Sequence, residues 1–303
     1  MVPGYRRTRP PRATRVLMLN QVDDNRRCQN HHAMPALRPQ LTPPYRHLLA
    51  IDTSTDVLSL ALAISDGTAN VSAWAITTTS GASGAKASAG MVPAIQKLVR
   101  DAGLTFADLD AVVFGQGPGA FTGLRTACAV AQGLAASARP GGIPVVPVNS
   151  LLATAQAARV EQADATARQW TACLDARMGE VYVARYRFDA GLTPVTLPVE
   201  IVAPGLMTPL ALREALTGST DGLAGNAHAV YADVLADLPA APVWVSATPS
   251  ATALLHLTPA LWAAGAAVPA AAAMPLYVRD KVAQTTAERE AAKRASTVDP
   301  THG

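Results

Sequence analysis

The chain is predicted to fold as α/β in two lobes, each a mixed sheet that opens with an antiparallel hairpin and is flanked by helices. Three features predict it. Two distant stretches, one starting at His47 and one at Trp170, each read as strand, polar turn, strand. Each then passes into alternating strand and helix signals, the order expected of a sheet covered by helices. Half of the 303 residues are hydrophobic, enough for more than one compact unit. No residue-level repeat is visible, so the duplication is read from element order alone.

In the first unit, 47–161, Leu48 to Ile51 is an apolar run, Asp52-Thr53-Ser54-Thr55-Asp56 is a hydroxyl-rich tip, and Val57 to Ile64 is the returning strand. A third strand is expected at Asn70 to Thr77, then a flexible Ser/Gly/Ala stretch over 79–90. A helix follows, with Met91, Ile95, Leu98, Val99 and Ala102 on one face and Gly103 placed as its C-terminal cap. Ala111 to Phe114 reads as a short buried strand. After Gly115-Gln116-Gly117-Pro118-Gly119-Ala120-Phe121-Thr122-Gly123 comes a small-residue helix to about 138. A strand over Pro144 to Val148 and a helix opened by Asn149-Ser150 complete a βββαβαβα order.

The second unit, 162–287, restarts with a strand at Trp170 to Leu174, a turn over 175–180 and a strand at Val181 to Phe188. Weaker signals follow, then a helix near Ala251 to Ala264 expected to pack back on the first unit. Residues 288–303 are polar and expected to fray.

Residues 1–46 are expected to be a disordered basic extension. Residues 1–47 hold nine arginines against Asp23 and Asp24 and are rich in proline, and Met34 offers an alternative beginning. Taking that +7 from the formal total of +3 leaves about −4 on the rest, so a basic nucleic-acid-binding face is not indicated for the body. Cys28, Cys128 and Cys173 form no CxxC pair and are expected to be reduced residues of a cytoplasmic protein. The uncharged run Leu238 to Val278 is cut by Pro249, Pro259, Pro269 and Pro275, which argues against a membrane span.

Chemistry concentrates at two places. The strand, glycine-rich loop and helix start at 112–125 would gather backbone N–H groups and the positive end of a helix dipole, a setting for phosphate or carboxylate. Walker A is excluded, since no Gly-Lys-Ser/Thr follows, and the Gly115-x-Gly117-x-x-Ala120 match to a dinucleotide fingerprint lacks the acid that would hold a ribose. The other reading of this loop is a tight turn that lets strand and helix pack. The tip Asp52-Thr53-Ser54 lies at the carboxyl end of the first strand, where ligands of open α/β sheets bind, or is a turn that closes a hairpin. Together the two give candidates for a phosphate or nucleotide cleft: Asp52, Thr53, Ser54, Gly115, Gly117, Gly119, Phe121, Thr122, Gly123 and Arg125. No metal ligand set stands out, because His47, His228 and His256 are isolated in the body and no His-x-x-x-His pair occurs. A Gly-x-Ser-x-Gly elbow is also missing, so no catalytic residue is assigned.

The body resembles the TsaB (YeaZ) family in LLAIDTST at 48–55, VVFGQGPGAFTGLRTACAVAQGLA at 112–135, PVVPVNSL at 144–151, CLDARMGEVYVARY at 173–186 and PLYVRDKVA at 275–283. The resemblance implies the two-lobed actin-like ATPase fold. It implies a non-catalytic role in forming threonylcarbamoyladenosine beside the tRNA anticodon, in support of a catalytic paralogue, TsaD, and with an ATPase, TsaE. Homodimers when alone, indirect contact with tRNA, and ATP or ADP in the assembled complex are further implications. It gives Asp175, Arg177, Glu180 and Tyr182 a place between the lobes. Met91, Ile95, Leu98, Val99 and Cys128 fall on helices resembling the family's partner surface, although the same stripe would serve as ordinary core. Ala87-Ser88 stands where the family usually has His-Ser. The alternative is an independent actin-like ATPase or small-molecule kinase working through Asp52 and the 115–123 loop.

Overall fold

The computed structural model describes residues 45–279, apart from 82–84, 165, 167, 193–195, 236–237 and 239–243. The expected basic extension up to Pro44 and the polar end beyond Arg279 lie outside the described residues.

The first sheet is built from β1 (His47–Asp52), β2 (Leu58–Ile64), β3 (Ala75–Gly81), β4 (Ala111–Gly117) and β5 (Val145–Asn149) in the order β3-β2-β1-β4-β5. β1 pairs antiparallel with β2 and parallel with β4. The second sheet contains β6 (Arg168–Asp175), β7 (Val181–Phe188), β8 (Val199–Met207), β9 (Gly222–Ala224) and β10 (Trp244–Val245) in the order β10-β9-β6-β7-β8. β6 pairs antiparallel with β7 and parallel with β9, so the second sheet repeats the connectivity of the first. The helices are α1 (Ala85–Asp101), α2 (Phe121–Ser137), α3 (Ser150–Glu161), α4 (Pro209–Leu216), α5 (Ala227–Val230), α6 (Ala232–Leu235) and α7 (Ala251–Ala263).

Period-two alternation explains the layering. Leu49, Ile51, Leu58, Leu60 and Leu62 face α1 and α2, whereas Leu48, Ala50, Ala61 and Ala63 face the opposite way. On that side they meet α3, α7 and the inner face of the second sheet, including Trp170, Ala172, Ala184 and Tyr186. The outer face of the second sheet, through Cys173, Val181 and Val183, is covered by α4, α5 and α6. Helices and sheets therefore alternate in five layers, with α3 touching both sheets. Burying central strands on both faces is what the uninterrupted apolar runs at 48–51 and 111–114 require.

Several boundaries differ from the expectation. Tyr45 is buried and sits edge-on to Trp74 and Trp262, with ring centroids 5.9 and 5.0 Å away, so the packed body begins before the expected start at 47. The third strand is displaced to Ala75–Gly81, because Asn70 caps a short helical turn over Val71–Ala73 by accepting from the Ser72 amide. Helix α1 begins at Ala85, within the stretch expected to be flexible, and Gly103 ends it with the Leu104 amide donating to the Val99 carbonyl. Among the described residues no helix is long and apolar enough to cross a membrane.

Candidate cleft between the lobes

The two hairpin tips face one another. Between them, the glycine-rich loop and the segment Leu276–Arg279 lies a cleft of about 280 Å³. Each tip is built by an aspartate at the last position of a strand. Asp52 Oδ1 accepts from the amide and hydroxyl of Ser54 at 3.1 and 2.7 Å. Asp175 Oδ1 accepts from the Arg177 amide at 2.9 Å and from the Tyr231 hydroxyl at 2.7 Å. Both are turns in which a short side chain substitutes for a backbone acceptor.

Of the residues expected in a phosphate cleft, Ser54, Gly119 and Phe121 line it. Asp52, Thr53, Gly115, Gly117 and Gly123 instead serve the packing of the loop. A methyl group on Gly115 would lie 2.0 Å from Asp52 Oδ2, one on Gly117 2.7 Å from the Leu276 carbonyl, one on Gly119 2.2 Å from the Ser54 carbonyl, and one on Gly123 2.1 Å from the Thr53 carbonyl. The Ala120 amide donates to the Ser54 carbonyl at 2.7 Å, and the Thr53 hydroxyl to the Gly123 carbonyl at 2.8 Å. The close backbone approach that an anion would need is thus made by the first hairpin and by the C-terminal segment. Thr122 and Arg125 are exposed on the first turn of α2. The Arg125 guanidinium lies 3.8 Å from the Phe121 ring centroid and donates to the Tyr277 hydroxyl at 3.1 Å.

Asp52 is fully buried and absent from the cleft wall, its Oδ2 against Gly115 without a hydrogen-bond partner. Burial raises its carboxyl from the ordinary 3.8 to about 6, against the lowering effect of the Ser54 bonds. A kinase-like role for Asp52 would need that carboxylate to face the cleft, and here it faces protein. The expected inter-lobe residues are brought together. Asp175, Arg177 and Tyr182 line the cleft. The Arg177 guanidinium reaches Asp175 at 3.4 Å within its own tip and Asp56 at 3.0 Å on the opposite one. Glu180 pairs with Arg279. Burial raises the Tyr182 phenol.

Both arginines of the cleft wall are therefore paired with acids of the same chain. The space, about 280 Å³, lies at the lower end of the roughly 300–1,000 Å³ of usual small-molecule sites. In this arrangement the two arginines of the wall are already matched by acids, and what the loop still offers a phosphate is the first turn of α2, whose N-cap Ala120 supplies no side-chain cap. Among the described residues no group of three or more His, Cys, Asp and Glu side chains could hold a metal ion. Cys128 and Cys173 are free and buried, with thiol pKa values raised by burial; Cys28 lies outside the described residues.

The expected partner stripe is corrected. Met91, Ile95, Leu98 and Val99 are buried against β1 and β2, and Cys128 is covered by the Ala273 carbonyl at 3.4 Å. Amphipathic periodicity marked the inward face, as it does for any helix on a sheet. The outward faces carry Gly90 and Val92 on α1 and Ala129, Gly133 and Ala136 on α2. Ala87 and Ser88 belong to α1, but their side chains lie outside the described residues. Asp56, Asn226, Tyr277 and Arg279 were not foreseen as site residues. Asn226 accepts from the Asp175 amide at 2.8 Å, across 51 positions in sequence, a contact no local pattern announces.

Comparison with known proteins agrees with these elements. A family model described as "TsaD: tRNA N6-adenosine threonylcarbamoyltransferase" matches residues 84–198. The Haemophilus influenzae protein named tRNA threonylcarbamoyladenosine biosynthesis protein TsaB is 37% identical over 139 residues, 46% of this chain and 52% of that protein. The Escherichia coli protein of the same name is 36% identical over 142 residues, 47% of this chain and 55% of that protein. The chain spans about half the length of these curated relatives. Coverage is far greater for the solved structure of YeaZ from Pseudomonas aeruginosa, at 32% identity and a TM-score of 0.63 over 76% of this chain and 99% of that one. With nearly the whole of that 32% identical structure matched, the chain belongs to the TsaB (YeaZ) family.

Proposed function

We propose that the protein is a non-catalytic subunit required for N6-threonylcarbamoyladenosine formation at the adenosine next to the tRNA anticodon. It acts by binding a TsaD-type catalytic paralogue, together with a TsaE-type ATPase, and forms homodimers when the paralogue is absent. The observation that supports this reading most is the use made of the glycine-rich loop. Its four close approaches are filled by Asp52, Thr53, Ser54 and Leu276, and the cleft's charges are paired internally. Among the described residues that line it there is no cysteine, histidine or lysine, and both arginines are paired. The names carried by its relatives supply the pathway.

Docking requires an exposed surface, and the outward faces of α1 and α2 offer one in which small residues permit close helix approach. The test is transfer of the threonylcarbamoyl group to tRNA by purified components. The chain alone gives no product, whereas the chain with the paralogue and the ATPase does. Replacing Ala129 and Gly133 together by Arg abolishes co-purification with the paralogue while leaving the melting temperature of the subunit close to wild type. Product formed by the isolated chain would refute the proposal.

A further inference from the structure

Met178 differs from the other methionines in what surrounds its sulfur. It is 68% exposed in the cleft wall, and Arg279 Nη1 donates to Met178 Sδ at 3.2 Å. The second terminal nitrogen of that guanidinium is already engaged, by the Glu180 carboxylate and by the Arg177 carbonyl at 3.4 Å. Met91 is buried, Met207 is partly buried, and Met274 is 63% exposed. Among the described residues Met178 is therefore the methionine that joins access from solvent to a cationic donor at its sulfur.

The second hairpin tip keeps that sulfur in place. At its base Asp175 accepts from the Tyr231 hydroxyl at 2.7 Å and from the Arg177 amide at 2.9 Å, and its own amide donates to Asn226 at 2.8 Å. Within the tip the Ala176 amide donates to the Glu180 carbonyl, and the Glu180 amide to the Arg177 carbonyl. Met178 itself has a φ of 56°, in the left-handed region where glycine would be easier. A side chain held at such a cost calls for a use, and the hydrogen bond this one makes is with Arg279.

We propose that Met178 is a site of reversible oxidation, and that its sulfoxide fastens the second hairpin tip to Arg279 along the cleft wall. A hydroperoxide supplies the oxygen. A sulfur lone pair attacks the outer peroxide oxygen, the O–O bond breaks, and the departing hydroxide or alkoxide takes up a proton and leaves as water or alcohol. Sulfur gives up two electrons and the peroxide receives them. A thioether is a weak acceptor, whereas the sulfoxide is polar and presents an oxygen to the donor. Beside a guanidinium that hydrogen bond is charge-assisted, so oxidation at Met178 strengthens a contact already made. A sulfoxide reductase drawing on a dithiol reverses the change, the oxygen leaving as water and the dithiol becoming a disulfide.

The test treats the full chain with hydrogen peroxide, locates sulfoxide by peptide mass spectrometry and follows amide hydrogen exchange. Sulfoxide at Met178 should slow exchange of peptides covering 175–181 about fivefold, with Ala50 and Val113 in the central strands unchanged. Met178→Leu under the same peroxide should show no slowing although Met274 is oxidised, and Arg279→Ala should show none although Met178 is. Tip exchange that is unchanged or faster once Met178 is oxidised overturns the proposal. Slowing that persists in Met178→Leu also overturns it, as does equal slowing in the central strands. So does a Met178 that stays reduced under peroxide that converts Met274.

Discussion

The two lobes share one connectivity and spend it differently. In the first, β4 and β5 have 7 and 5 residues and lead into helices of 17 and 12. In the second, β9 and β10 have 3 and 2 residues, and two 4-residue helices stand where α2 stands in the first. Both open with a strand ending in an aspartate that accepts the amide two residues on. The first buries that aspartate beneath its glycine loop, away from the cleft wall, while the second keeps its aspartate in the cleft wall, bonded to Tyr231 and Arg177. The shared frame sets where the tips lie, and the local residues decide whether the strand-end aspartate faces protein or cleft.

The largest test of that contrast lies in the glycines where loop meets hairpin. In the first lobe Gly123→Ala would set a methyl 2.1 Å from the Thr53 carbonyl; in the second, Gly225→Ala would set one 2.0 Å from the Cys173 carbonyl at a φ of 126°. Neither neighbour is a flexible side-chain end, so each substitution should cost about 3 kcal/mol or more in urea unfolding. Gly133→Ala, on the open face of α2 with nothing within 4 Å, should stabilise by about 0.5–1 kcal/mol. If Gly123→Ala proves neutral, the loop is not locked to the hairpin and the cleft has room for a phosphate after all.

Next in size is the buried aspartate. Its folded pKa of about 6 exceeds the ordinary 3.8, so the folded protein keeps a proton that the unfolded chain releases between those values. That contribution to stability is fully present below pH 3.8, is lost as pH rises through 6, and is worth about 3 kcal/mol in all. Other carboxylates titrate in the same range, so the informative quantity is the stability of wild type minus that of Asp52→Asn at each pH. That difference should shrink by about 2 kcal/mol between pH 4 and pH 7. A flat difference would mean the carboxylate reaches solvent or a cation, which would restore the kinase-like reading.

How much of this was legible in the sequence depended on whether the cause was local. The apolar runs at 48–51 and 111–114 and the alternation over 181–188 encode central strands directly, and Asn149 marks the start of α3 by accepting the Leu151 amide. Both hairpin tips were visible as polar residues between strands. The third strand was misplaced because Asn70 and Trp74 close a turn through contacts with Ser72 and Thr68 that propensity does not register. The glycine loop was legible as a close approach, but not what approaches: Leu276 arrives from about 160 positions away. The α1 stripe shows the same limit, since period alone marks one face without saying whether sheet or partner covers it.

The smallest effect isolates the strain in the second tip, which the first tip lacks among its described backbone angles. Met178 is 68% exposed, so little packing is lost when it is replaced. Glycine at 178 would remove a left-handed penalty of about 1–2 kcal/mol, while its freedom in the unfolded chain costs about 0.5–1 kcal/mol. Met178→Gly should therefore be neutral to stabilising, by up to about 1 kcal/mol in urea unfolding. A clear loss of stability would mean that the Met178 sulfur near Arg279 matters more than the backbone strain.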